Sequence, residues 1–143
     1  MTDGYRYATP AEAEAAFYAA FAAADLDAMM RVWADTDDTI CIHPMGGRLI
    51  GNAAIAASWS EIFRGDGSMR FELAETIDLS ADSLAVRYVY EEISFGADFG
   101  ERSRVLATNV FVRTDAGWRI HAHHGSPGVR VVPRAAPPPQ TVH

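Results

Sequence analysis

At 143 residues, 49% hydrophobic and 22% charged, the chain has the size of one domain and can bury roughly 70% of its unfolded surface in a single core. A net charge of −7 speaks against a nucleic-acid backbone or an anionic membrane as partner, because both attract clustered cations. All 12 basic residues are arginine, which excludes lysine Schiff-base chemistry. The one cysteine, Cys41, rules out an intrachain disulfide and a multi-cysteine zinc site.

Taken in chain order, residues 9–12 (Thr-Pro-Ala-Glu) form a capping box with proline at the first helical position, so a helix starts there. Ala13, Phe17, Ala20, Phe21 and Ala24 recur at helical spacing and give that helix a narrow apolar stripe. Asp25 reads as a second N-cap, ahead of a shorter helix with Leu26, Met29, Met30 and Trp33 on one face. The period then changes. Residues 39–43 are a short β-branched run that places Cys41 between two isoleucines as a buried, inert thiol, and His43-Pro44 ends it. Glycines 46, 47 and 51 mark a turn-rich segment whose loops can rim a site. Asn52 can cap a third helix carrying Ile55, Trp59, Ile62 and Phe63, with Gly65 as its stop.

From residue 68 onward the chain reads as four long strands, 69–78, 83–94, 101–114 and 118–126, joined by turns short enough only for antiparallel neighbours. Long antiparallel strands twist, and a twisted meander curls into a half-barrel or cone that needs a cover. The amphipathic N-terminal helices supply it. The expected class is therefore α+β, a strongly curved antiparallel sheet closed by helices around a pocket. One domain spans 1–126, and the proline-rich segment 127–143 is a tail, either mobile or lying on a neighbouring subunit. No charged-then-apolar leader and no long apolar run is visible, so a cytoplasmic protein is expected.

Several pieces occur together in one order: Ala24-Asp25-Leu26-Asp27-Ala28 with Trp33-Ala34-Asp35, then His43-Pro44-Met45-Gly46, then residues 51–59, and finally Asp115-Ala116-Gly117-Trp118-Arg119-Ile120 running to Ser126. In this order they resemble the SnoaL-like and ketosteroid-isomerase-like branch of the nuclear-transport-factor-2-like superfamily, over about residues 9–126. The resemblance implies a small-molecule pocket, no cofactor, and a homodimer formed through the convex sheet face. Ketosteroid isomerases place an aspartate base before Pro-x-Gly, where this chain has His43, and an aspartic acid on the penultimate strand, near which it has Asn109. Their first-helix tyrosine falls closest to Phe17, with Tyr18 one position along.

Imidazole titrates near neutrality, so His43, His121, His123 and His124 draw attention as proton carriers or ligands. Strict alternation puts Trp118, Ile120, Ala122 and His124 toward the cavity and His121 and His123 on the convex face, unless a bulge intervenes. His121 and His123 could pair on zinc, but no third ligand stands nearby in sequence, so no metal is expected. Glu91 shares a face with Val89 and Ile93, either in an ion pair with Arg87 or as a cavity acid. Tyr18, Trp33, Trp59 and Phe63 are candidate ligand-wall residues, although aromatics at helical spacing such as Trp33, Trp59 and Phe63 are more often plain core.

Two readings remain open. In the first, an isomerase, cyclase or dehydratase binds a small apolar or polycyclic ligand, with His43 as acid or base and Asn109 and His124 as partners. In the second, the same fold is a non-catalytic ligand-binding or dimerisation module whose histidines only satisfy hydrogen bonds. A cavity on which His43 and Asn109 converge favours the enzyme; one filled by Trp33, Trp59 and Phe63 favours the module.

Overall fold

Helix α1 (Pro10–Ala23) of the computed structural model opens as its capping box predicts: Thr9 Oγ1 accepts from the Glu12 N–H at 3.1 Å. The structure describes residues 6–65 and 67–128; most of the expected 127–143 tail lies outside them. Asp25 caps α2 (Leu26–Val32) by accepting from the Ala28 N–H at 3.0 Å. β1 (Ile40–Ile42), β2 (Arg48–Ile50) and α3 (Asn52–Phe63) follow, and then the long strands β3 (Met69–Ser80), β4 (Leu84–Phe95), β5 (Glu101–Thr114) and β6 (Gly117–Pro127).

Gly51, not Asn52, is the N-cap of α3, at φ +91°, a backbone state open to glycine at little cost. Asn52 is used elsewhere. Its Oδ1 accepts from the Thr39 hydroxyl at 2.5 Å and its Nδ2 donates to the Ala34 carbonyl at 2.8 Å, so the side chain ties the start of α3 to the segment ahead of β1. Thr39 is completely buried, and these bonds satisfy a polar group that would otherwise be costly there.

The six strands form one sheet in the order β2-β1-β6-β5-β4-β3. β3 to β6 make the expected antiparallel meander, but β1 lies parallel to β6, which makes the sheet mixed. A three-residue strand carries no pattern that names its neighbour, so this pairing could not be read from the chain. α1 packs on both β3 and β6, strands three places apart, which requires the sheet to curl around the helix. The concave side carries Ala85, Val89 and Glu91 of β4, Val105, Ala107, Asn109 and Phe111 of β5, all buried and all at alternate positions. Against them stand Phe17, Trp33, Trp59, Ile55 and Met29 from the helical layer, each 2% exposed or less.

Regularity fails at one place that matters. Val110 pairs with Ala122 and Phe111 with Ile120, so His121 is an extra residue in β6. Such a bulge shifts the alternation by one. Trp118 and Ile120 face the core before it, and His123 and Gly125 face the core after it, while His124 is exposed. The expected assignment of the two histidines is reversed: His123 is inside and His124 lies on the convex face.

At the β5–β6 turn, Gly117 sits at φ +98°, and a Cβ there would lie 2.8 Å from the Tyr7 backbone nitrogen and 2.9 Å from its carbonyl oxygen. The close approach lets the Trp118 N–H donate to the Tyr7 carbonyl at 2.8 Å and docks the N-terminal segment beside β6. Gly117→Ala should therefore lower stability by about 2 kcal/mol, through both the forbidden φ and the clash. A urea midpoint equal to that of the unaltered chain would refute this.

Candidate functional site

Side chains from α1, β4, β5 and β6 meet on the concave side in one hydrogen-bonded cluster. The Asn109 amide nitrogen donates to Glu14 Oε2 and to the Tyr18 hydroxyl, both at 3.1 Å. The Tyr18 hydroxyl donates in turn to Glu91 Oε2 at 2.5 Å. Asn109 Oδ1 faces His123 Nδ1 at 2.6 Å, and with both amide hydrogens committed to other groups the imidazole must be the donor. Nδ1 of His123 is therefore protonated, and its Nε2 lone pair points toward Glu91 Oε2, 3.9 Å away.

The two buried acids of this cluster differ in their partners. Glu14 accepts from Arg87 Nε at 2.8 Å, and Arg87 also reaches Asp78 on β3, so a cation faces this carboxylate. Glu91 has Tyr18 and His123 instead. Burial pushes its carboxyl up to about 7, with the Glu14 charge adding to the rise and the Tyr18 hydrogen bond opposing it. Burial drives His123 down to about 3, helped by the His43 and His124 charges. The 3.9 Å contact is thus no ion pair at neutral pH, because the imidazole stays uncharged. Burial, with the neighbouring Glu91 charge second, lifts the Tyr18 phenol well above its ordinary range, so it remains a hydrogen-bond donor.

His43 stands apart from this cluster, at the end of β1, half-buried against the edge of Trp59 with ring centroids 4.8 Å apart. Its Nε2 lies 3.0 Å from Ser58 Oγ, and Ser58 donates its own proton to the Ile55 carbonyl at 2.7 Å. The hydroxyl is left only as an acceptor, so Nε2 carries the imidazole proton and Nδ1 carries the lone pair. Burial holds His43 below the ordinary imidazole range, which keeps it neutral near pH 7. Cys41, buried beside it with Sγ 3.6 Å from Nε2, is pushed up to about 12 by burial and stays a thiol.

The expected wall residues divide. Trp59 is fully buried and packs against Phe17, Phe21 and Phe63 at 5.6, 4.7 and 5.6 Å, with His123 at 6.2 Å. Phe63 is half-buried at the edge of this cluster, and Trp33 lies on its far side, 6.4 Å from Phe17. Tyr18 brings its hydroxyl inside although Phe17 is the buried neighbour, because both residues of this pair face the sheet. Asn109 points inward as expected, but its donors are spent within the protein. His124 borders a hollow of about 380 Å³ on the convex face, with Ile77, Tyr88, Tyr90 and Leu106. A broader groove of about 1040 Å³ runs between α2, the start of α3 and the first residues of β6, where Arg119 and His121 lie. Among the described residues no three His, Cys, Asp or Glu side chains gather as a metal site, and no helix is long and apolar enough to cross a membrane.

One residue of this site went unnoticed in the sequence and another was placed on the wrong face. Glu14 stands at i, i+3 and i+4 from Phe17 and Tyr18, so the helical period could have found it. His123 required knowledge of the bulge, for which the residues of β6 give no local sign.

Comparison with known proteins places this architecture. No curated protein matches the chain. Among solved structures, a candidate calcium/calmodulin-dependent protein kinase type II association domain from Thiobacillus denitrificans is 41% identical, with 86% of this chain and 98% of that one covered and a TM-score of 0.80. A candidate dehydratase of the NTF2-like family from Streptomyces avermitilis is 29% identical over 82% of this chain and 91% of that one, at a TM-score of 0.74. An NTF2-like protein of unknown function from Pseudomonas putida, 22% identical over 81% and 82% of the two chains, shares the fold at a TM-score of 0.73. The profile of the SnoaL-like domain matches residues 11–130, from the first turn of α1 to beyond the end of β6. The chain belongs to the SnoaL-like domain family.

Proposed function

We propose that this protein binds a small apolar ligand on the concave side of its sheet and moves a proton on it without a cofactor, as an isomerase, cyclase or dehydratase does. Glu91 carries the reading. It is 2% exposed and held at about 7; a phenol hydrogen-bonds to it, a neutral imidazole lies 3.9 Å away, and the Glu14 charge adds to the rise. An acid buried without a cation costs folding energy, and a site that retains one gains a group poised to give or take a proton at neutral pH. His43 supplies the matching base through the Nδ1 lone pair, with Ser58 fixing the tautomer. Phe21, Phe63 and Phe71, half-buried at the edge of the core, would face an apolar or polycyclic body that enters there, although neither hollow described above borders them. The candidate dehydratase from Streptomyces avermitilis adds support from its name.

A second reading, the non-catalytic association module, rests on the complete burial of Trp33 and Trp59 and on the name of the Thiobacillus relative. Proton exchange separates the two. Taking 2-tetralone as a bicyclic ketone probe, the protein should speed exchange of its C1 protons for deuterium by 10²-fold or more, and His43→Ala and Glu91→Gln should each remove most of that gain with near-ultraviolet circular dichroism unchanged. Binding without exchange favours the module, and an undiminished rate in His43→Ala removes His43 from the mechanism.

The same two buried groups make a stability prediction. Glu91 is raised from 4.5 to about 7, so the native state holds a proton the unfolded chain has lost, and stability falls as pH rises through that window. His123 is lowered from 6.5 to about 3, so its contribution is present above 6.5 and is lost as pH falls toward 3. Between about pH 4.5 and 6.5 the slopes oppose, and stability should be nearly flat. In Glu91→Gln only the histidine slope remains, and stability should climb by about 3 kcal/mol across the same window. Denaturant melts at half-unit pH steps decide it; a flat profile in the variant contradicts the assignment of Glu91.

We also propose a homodimer through the convex face. Rows of residues there, Ile77-Tyr88-Thr108-His124 and Leu79-Val86-Val110-Ala122, run straight across β3 to β6, with Ile77 and Leu79 each more than 60% exposed. An exposed apolar face of this kind fits a second copy. Light scattering should give twice the chain mass, and Val110→Arg should halve it; a monomer at micromolar concentration for the unaltered chain refutes the interface.

A further inference from the structure

Resting on the ligand site proposed above, we infer that the indole N–H of Trp59 is the hydrogen-bond donor that receives a carbonyl oxygen of the ligand. The argument is an inventory of donors. On the concave side the amide hydrogens of Asn109 go to Glu14 and Tyr18, and the Tyr18 hydroxyl goes to Glu91. The Nδ1 hydrogen of His123 goes to Asn109, the Nε2 hydrogen of His43 goes to Ser58, and Arg87 is engaged by Glu14 and Asp78. Each of these is spent on the protein itself. What they leave toward a ligand is lone pairs, on His43 Nδ1 and His123 Nε2.

Among the described residues two buried side-chain donors have no acceptor, Trp33 Nε1 and Trp59 Nε1. Folded proteins pair nearly all such groups, and a buried donor left alone asks for a missing partner. The indole of Trp33 borders the outer groove and makes ring contact with Phe17. That of Trp59 makes ring contact with both His43 and His123 and is covered on its outer side by half-buried Phe21 and Phe63. Trp59 is fully buried, so these two phenyl rings would have to part for a molecule to meet the indole and the imidazole lone pairs together. The interior thus offers one unpaired donor beside two imidazole lone pairs, that of His43 Nδ1 facing Cys41 Sγ at 4.0 Å and that of His123 Nε2 facing Glu91 Oε2 at 3.9 Å, among aromatic side chains. The complement is an apolar body with a single unprotonated oxygen, a ketone or an aldehyde. Asn109, which the sequence suggested for this oxygen, has no hydrogen left for it.

The test compares two probes of one shape, 2-tetralone and tetralin, titrated into the 15N-labelled full chain. The three indole signals are followed, with that of Trp59 assigned by its loss in Trp59→Phe. The ketone should move the Trp59 indole proton downfield, leave those of Trp33 and Trp118 in place, and bind roughly tenfold tighter than the hydrocarbon. In Trp59→Phe the two probes should bind equally. Equal binding to the unaltered chain, with no downfield shift, overturns the role of Trp59 while the ligand site stands. An indole proton already downfield in the free protein and unmoved by the ketone also overturns it, since a resident acceptor then holds the donor. Binding of neither probe sinks the ligand site and this inference together. If Trp59→Phe does not fold, the shift in the unaltered chain decides by itself.

Discussion

Asn109 joins four elements through two side-chain atoms and the Tyr18 hydroxyl. Its amide nitrogen holds Glu14 and Tyr18 of α1, its oxygen holds His123 of β6, and Tyr18 passes the connection to Glu91 of β4. None of these groups reaches water, and each would cost on the order of 1–3 kcal/mol if left unpaired. The geometry is therefore mutually determined: the helix cannot rotate, and the sheet cannot flatten, without stranding a buried polar group. The surrounding aromatics add bulk and dispersion, but they tolerate sliding in a way that a hydrogen-bond network does not.

That network also sets the chemistry. Asn109 carries no charge, and at one end of the network Arg87 is engaged by Glu14. At the other end Glu91 has only neutral partners and stays close to the protonation boundary. Two carboxyls of the same kind on neighbouring elements thus acquire different duties from their surroundings. The neutral state of His123 follows from the same burial.

His43 lies outside this cluster yet beside it, through Trp59. Position 43 ends a three-residue strand just before Pro44, where the backbone leaves the sheet, and α3 brings Ser58 and Trp59 over it. The pairing of β1 with β6, parallel and only three residues long, is what sets His43 at the open side of the curled sheet rather than at its outer edge. The convex face shows a different character, with exposed apolar rows beside the ion pairs of Arg104 with Glu75 and Glu92.

Much of this was legible in the residues. Capping at Thr9 and Asp25, helical stripes, the four long strands and their short turns each rest on local periodicity, so α+β with a curled meander followed; Asn109 was singled out only through the family resemblance, and alternation left Glu91 open between an ion pair and a cavity acid. The cap of α3 was misread because Asn52 and Gly51 both suit that place, and only the position of Thr39, thirteen residues earlier, decides which is used. The histidines of β6 were reversed because a bulge is a property of two strands: whether His121 is extra depends on where Phe111 of β5 finds its partner. By itself the sequence determined what periodicity and capping encode, the elements and the faces they bury. The tertiary structure alone decided the parallel β1–β6 contact, the partner of each buried acid and the inward histidine, since all three are relations between segments distant along the chain.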